Sequence, residues 1–163
     1  MSLASDQSPL KIVIIGAGSL EFSSRLTADV LSYSALSHAH FALVDTDAER
    51  LDFAGQIVEQ IFHQGGYQNA TYSQHSDRRE ALERADFVIT SILVGGYPAI
   101  ESEIDIPKSF GVCQAIGDTL TPGGIMRCLR TLPILVDIAL DVQNYCPSAL
   151  LLNYTNPMSM LCW

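Results

Sequence analysis

Basic side chains are scarce in this sequence, with nine lysines and arginines against eighteen aspartates and glutamates and a net charge of −9. Such a surface repels nucleic-acid phosphates and anionic headgroups. Nucleic acid and membrane are therefore excluded as partners, and a small molecule or another protein subunit is expected. Also missing is any unbroken apolar run near the roughly 20 residues that cross a bilayer, although 48% of the residues are hydrophobic. The opening "MSLASDQSPL" lacks the basic and apolar regions of a secretory signal. Residues 1–9 thus read as a short disordered or artificially appended leader, and the cytoplasm is the expected compartment. Cys113, Cys128, Cys146 and Cys162 contain no CxxC pair. Neither a zinc knuckle nor a redox dithiol is indicated, and buried free thiols are expected. Internal repeats and low-complexity segments are absent.

What is present begins with "KIVIIGAGSLEF" at 11–22. Lys11 to Ile15 is a short β-branched block of the kind found in a parallel strand buried on both faces. Gly16 and Gly18 then allow a tight turn and a close approach of an anion to main-chain N–H groups. Helical spacing of Leu20, Leu26, Val30 and Leu31 follows, from Ser19 to about Tyr33. A strand, a glycine turn and a helix N-terminus in that order form a pyrophosphate cradle. The pattern departs from GxGxxG, because Glu21 occupies the third glycine position. Asp45, at the end of a second β-rich run over 40–47, supplies the acidic residue that accepts from ribose hydroxyls. A carboxylate there repels a 2′-phosphate, so NAD is favoured over NADP. The alternative is an ordinary strand-to-helix turn.

The remaining pattern alternates. Ala48 to His63 is an amphipathic helix, 70–76 a third strand, 78–85 a short exposed helix and 86–93 a fourth strand of buried type. Strands alternating with helices imply an α/β fold with a doubly wound parallel sheet, Rossmann-like. The segment 94–111 mixes Gly, Pro and apolar residues and is expected to run from a loop into an irregular helix. A turn at 118–124 precedes a helix from Ile125 to about Asn144, which Pro133 should kink or restart. A fifth strand, 148–154, leads into "TNPMSMLCW". The expected division is a dinucleotide domain over 10–156, with 157–163 starting a helix that leads into a further C-terminal catalytic and metal-binding domain. Met158, Met160, Leu161 and Trp163 would give that helix apolar residues in need of a partner surface. The chain then reads as the amino-terminal part of a longer α/β enzyme.

Two further clusters carry chemistry. In "GDTLTPGGIMRCLRTLP", Arg127 and Arg130 share adjoining parts of one helical face beside a glycine-rich turn that holds Asp118. Two guanidinium groups together in an acidic chain point to an anion or a carboxylate-rich surface, the alternative being a solvated or interface helix. In "LLNYTNPM", Asn153 and Asn156 follow a buried strand at its carboxyl end. Amides there can bond sugar or hydroxy-acid oxygens; the alternative is a plain Asx turn.

GAGSxxF, the Asp-terminated second strand, GDTxxPGGIMRxLRT and LLNYTNPMSM together resemble glycoside hydrolase family 4, the NAD- and manganese-dependent glycosidases, especially the α-galactosidase- and α-glucosidase-like branch. The likeness runs from about residue 10 to the end. It implies hydrolysis by an indirect route: NAD oxidises C3 of the sugar, a divalent metal polarises the C3 oxygen, and a base removes the acidified C2 proton. Elimination expels the aglycone, water adds at C1, and C3 is reduced again. By the same resemblance, Gly16, Gly18, Ser19 and Phe22 match the phosphate-binding turn and Asp45 the ribose contact. Asn156 matches the residue that touches the sugar near C2 and C3, and Asp118 and Arg127 match positions lining the sugar pocket. No catalytic residue and no metal ligand is assigned within the chain. In that family the ligating cysteine and histidine and the tyrosine base lie downstream of the Asn-Pro strand, and none of the four cysteines sits in a Cys-His motif. The metal ligands are therefore expected downstream of Trp163, and these 163 residues alone are expected to be inactive.

Several rivals remain open. An α-galacturonidase, glucuronidase or 6-phosphoglycosidase would use Arg127 and Arg130 to hold a carboxylate or phosphate. A 2-hydroxy-acid dehydrogenase of the malate or lactate type would need a downstream His-Asp pair, and would release NADH stoichiometrically. A non-catalytic dinucleotide module is the third class. The complete protein is expected to be a homo-oligomer.

Overall fold

The computed structural model describes residues 9–163, so the expected leader lies, apart from Pro9, outside the described residues. Lys11–Ile15 forms β1, and the expected burial on both faces is observed. Ile12 and Ile14 pack into one core with Leu31, Phe41, Leu43 and Val58. Val13 and Ile15 pack into a second with Ala42, Val44, Leu82 and Ile138. Side chains alternate across a strand, so a fully apolar strand feeds two cores at once.

β2 (His40–Val44), β3 (Thr71–His75), β4 (Phe87–Thr90) and β5 (Leu150–Asn153) complete an all-parallel sheet of order β3-β2-β1-β4-β5. β1 pairs with β2 and β4, Ile15 lying opposite Val44 on one side and Thr90 on the other. The strand order reverses between β1 and β4, and their carboxyl ends flank the crevice where ligands of this architecture bind. β5 is an edge strand among the described residues and is only partly covered, Leu150 being 55% exposed. That corrects the expectation of a buried fifth strand.

The helices are α1 (Leu20–Ser32), α2 (Ala48–Gly65), α3 (Arg78–Leu82), α4 (Gly96–Ser109), α5 (Pro122–Tyr145) and α6 (Met158–Leu161). Asp47 caps α2 by accepting from the amides of Glu49 and Arg50, both at 3.1 Å. α3 is not simply exposed, since Ala81 and Leu82 are buried and Arg78 reaches Asp141 at 2.6 Å. Two expectations about helices need correction. The segment expected to be irregular contains the regular 14-residue α4. α5 runs unbroken through Pro133 and begins at Pro122, with Thr121 Oγ1 accepting from the Gly124 amide at 3.0 Å. Pro133 lacks the N–H that would reach Leu129 C=O. Both residues lie on the exposed side of the helix, so the Leu129 carbonyl is not buried without a donor. Within the expected helix start over 157–163, the structure shows one helical turn, α6, over Met158–Leu161. Its apolar residues divide: Leu161 is buried with Cys128 and Leu135, whereas Met158 is exposed, because one turn can direct only one side toward α5. None of the described helices is long and apolar enough to cross a membrane.

At the opposite end of the sheet, His40 Nδ1 lies 2.9 Å from Thr71 Oγ1 and Nε2 lies 3.0 Å from Ser73 Oγ. Burial holds its pKa below the ordinary 6.5, and the nearby charges of Lys11 and His75 act in the same direction. The unfolded chain therefore binds more protons than the folded one just below about pH 6.5. The stability tied to neutral His40 is complete above that value and is lost as pH falls through the window. The melting temperature is expected to drop on going from pH 7 to 5, and less steeply in His40→Gln. Identical slopes in the two proteins would refute this.

Candidate functional site

The turn after β1 is held from both neighbouring strands. The amides of Gly16 and Ala17 donate to Val44 C=O at 2.9 and 3.0 Å. Gly16 has φ 89°, and a Cβ there would lie 2.2 Å from Ser91 O, so the position admits only glycine. Asp45, one residue beyond β2, accepts the Gly18 amide through Oδ2 at 2.7 Å and the Asp47 amide through Oδ1 at 3.0 Å. The Gly18 N–H is thus engaged by Asp45 rather than open to a bound anion.

The open donors lie one step further on. Ser19 opens α1 without a side-chain cap, its own amide bonded to Gly16 O at 3.1 Å. The amides of Leu20, Glu21 and Phe22 have no carbonyl of the preceding turn bonded to them among the described residues. Three uncapped N–H groups at the positive end of a 13-residue helix, beside Asp45, suit a dinucleotide: pyrophosphate on the amides and ribose hydroxyls on the carboxylate. The Phe22 ring is 46% exposed and meets Tyr154 edge-on, the ring centroids 6.3 Å apart. This contact links α1 to the segment after β5.

Across the crevice, Asp118, Arg127 and Asn156 meet in one hydrogen-bonded array. Asp118 Oδ2 accepts from Asn156 Nδ2 at 2.9 Å and from Arg127 Nη1 at 3.3 Å. Arg127 Nε and Nη2 both donate to Glu103 Oε2, at 2.8 and 2.5 Å. The other oxygen of Glu103 takes Arg130 Nη2, and Arg130 Nε donates to Val94 C=O at 2.9 Å. Close backbone packing holds the array together. A Cβ on Gly124 would lie 1.6 Å from Thr119 O, and one on Gly123 would lie 2.4 Å from Glu103 O. The double glycine therefore lets α5 press against both the 117–119 loop and α4.

Several expectations change here. Of the two partners expected for Arg127 and Arg130, an anion or a carboxylate-rich surface, the structure shows the second, and it lies within the fold: Glu103 engages both. Glu103, 1% exposed, is the residue that sequence reasoning missed. Its signal was a carboxylate spaced with Ala99, Ile100 and Pro107 on the inward side of α4, readable only once that segment is regarded as a regular helix. Asn153 turns inward rather than toward a ligand. Its Oδ1 accepts from Thr90 Oγ1 and the Thr155 amide at 3.0 and 3.1 Å, and its Nδ2 donates to Thr155 O at 3.0 Å. Asn156 is exposed. Cys128 and Cys146 are buried free thiols, whereas Cys113 and Cys162 are exposed, contrary to expectation. No group of three or more His, Cys, Asp or Glu side chains that could hold a metal ion occurs among the described residues, which end at Trp163.

Comparison with known proteins bears on this arrangement. An α-galactosidase of Bacillus subtilis is 43% identical over 152 residues, 93% of this chain and 35% of its own length. An α-galacturonidase of Thermoanaerobacter italicus is 38% identical over 151 residues, covering 93% of this chain and 32% of that protein. Among solved structures, a putative glucosidase of Bacillus subtilis superposes with a TM-score of 0.84 at 36% identity, over 93% of this chain and 34% of that one. The 6-phospho-β-glucosidase of Thermotoga maritima, solved with manganese, NAD+ and glucose-6-phosphate, gives 0.74 at 25% identity, over 91% and 35%. The chain spans about a third of the length of the relatives it matches. The model of the family 4 glycosyl hydrolases matches residues 11–163. With that match across the glycine turn, the Asp118 array and the Asn-Pro segment, the chain belongs to family 4 of the glycosyl hydrolases.

Proposed function

We propose that residues 10–156 are the NAD-binding domain of an NAD- and divalent-metal-dependent glycosidase that acts on neutral α-galactosides. The observation that carries the choice of substrate is the internal pairing of both arginines. Glu103 engages Arg127 and Arg130, and Asp118 adds a second carboxylate, so two positive charges meet two negative ones. A pocket wall balanced in this way offers no net attraction to a uronate or a 6-phosphate. What it presents to a ligand is hydrogen-bonding oxygen, which suits sugar hydroxyls.

Bound NAD supplies reversible oxidation of a sugar carbinol. The uncapped start of α1 holds its pyrophosphate, Asp45 accepts from the adenosine ribose, and Asp118 and Asn156 orient the sugar hydroxyls. No metal-dependent step is assigned to the described residues, which contain no ligand cluster.

Two measurements on the full-length protein test this reading. Its kcat/KM should favour a nitrophenyl α-galactoside over the α-galacturonide and over 6-phosphorylated glycosides, and turnover in deuterium oxide should leave deuterium at C2 of the product. A preference for either anionic glycoside would overturn the substrate assignment. NADH accumulating one for one with product would move the protein to the dehydrogenases.

Asp45 gives a separate prediction. Asp45→Ala should weaken NAD binding by about 1–3 kcal/mol, the range for charge-assisted hydrogen bonds and for leaving the Gly18 amide without its partner. The unaltered protein should bind NAD more tightly than NADP. Calorimetry showing equal or tighter NADP binding would contradict the ribose placement.

A further inference from the structure

We propose that Glu103 is a positioning residue that acts through Arg127 and Asp118 to orient Asn156; the inference rests on the glycosidase reading above. The Asn156 amide settles its own orientation. A carboxylate only accepts hydrogen bonds, so the Asn156 atom 2.9 Å from Asp118 Oδ2 is the NH2 nitrogen. That leaves Asn156 Oδ1 and Asp118 Oδ1, neither of which has a partner among the described residues. The pair therefore presents two acceptors. Two acceptors match two hydroxyl donors of a vicinal diol, whereas an oxyanion would need a donor.

The arrangement works only while the Asp118 carboxylate does not rotate. Its restraint from the fold is Arg127 Nη1 at 3.3 Å, and the plane of that guanidinium is set by its other two nitrogens on Glu103 Oε2. Glu103 is in turn tied through Arg130 to Val94 C=O. A continuous path thus runs from the exit of β4 through Arg130, Glu103, Arg127 and Asp118 to Asn156 at the exit of β5. Glu103 is 1% exposed and too deep to meet the sugar itself. Its influence on the ligand passes through Arg127.

The test is D-galactose binding to the NAD-loaded full-length protein, followed by calorimetry, with NAD affinity measured alongside. Glu103→Gln should raise the galactose dissociation constant about tenfold, as for loss of one charge-assisted bond, and leave NAD affinity unchanged. Asp118→Asn should lose at least as much. The double variant should bind galactose no more weakly than Asp118→Asn alone, because both changes interrupt one path. Arg127→Lys serves if Glu103→Gln does not fold. It keeps the charge balance, but a single ammonium cannot bridge Glu103 and Asp118 as the fork does, so the same loss is expected. Additive losses in the double variant, a parallel fall in NAD affinity, or wild-type galactose binding by Arg127→Lys would overturn the positioning role. Failure of the unaltered, NAD-loaded protein to bind galactose would instead overturn the galactoside reading, and the inference with it.

Discussion

Glu103→Ala is expected to destabilise the fold by about 3–5 kcal/mol, the usual cost of breaking a buried ion pair from one side. The side chain of Arg127 is 11% exposed and that of Arg130 28%, so neither guanidinium regains full hydration when its carboxylate disappears. Local collapse is restricted as well, because Gly123 already lies against the Glu103 backbone. Urea unfolding of the full-length protein measures the loss. Replacing Glu103, Arg127 and Arg130 together by apolar residues of similar volume should recover part of it, since the buried carboxylate and both guanidinium groups go together and only the partly exposed Asp118 loses a partner. A loss below about 1 kcal/mol in Glu103→Ala, the scale of an exposed pair, would show that water reaches the arginines.

The largest expected effect on activity is at Asn156. Its NH2 group is already committed to Asp118, so under the proposed function its free oxygen would meet a sugar hydroxyl in the ground state as well as in the transition state. Asn156→Ala should lower kcat/KM on the order of a hundredfold, with a rise in KM accounting for part of the change. NAD affinity should be unaffected, because the proposed dinucleotide site lies across the crevice at the start of α1. Asn156→Asp separates this account from a merely structural one. It sets a second carboxylate against Asp118 Oδ2, where two like charges raise the pKa of one partner. Activity of that variant should recover toward acid pH as the pair comes to share a proton. A flat profile parallel to the unaltered enzyme would argue against the Asn156–Asp118 contact.

These two residues also show where reading the sequence reached its limit. Asn156 could be singled out because the Asn-Pro segment follows a strand and belongs to a long motif. The direction of its amide could not, because Asp118 lies 38 positions away. Arg127 and Arg130 were visible as a pair on one helical face, yet the group they serve is Glu103, 24 and 27 positions upstream. Proximity of that kind depends on how α4 packs against α5, and periodicity within either segment contains no information about it.

The local features were legible because their causes are local. An apolar β-branched block predicted β1, spaced leucines predicted α1, two glycines predicted the turn between them, and alternation of strands with helices predicted the parallel sheet. Asp45 could be expected at the end of β2 because strand length is written in the same run of residues. Pro133 does not restart the helix because its effect depends on surroundings: on the exposed side of α5 the carbonyl it leaves without a donor is not buried. The tertiary structure alone decided that the Gly18 amide belongs to Asp45, that Asn153 turns inward, and that Cys113 is exposed while Leu161 is buried. It also decided that the paired arginines are neutralised within the fold. Each of these depends on which distant group takes up a hydrogen bond or covers a surface, and that is settled only when separate elements come into contact.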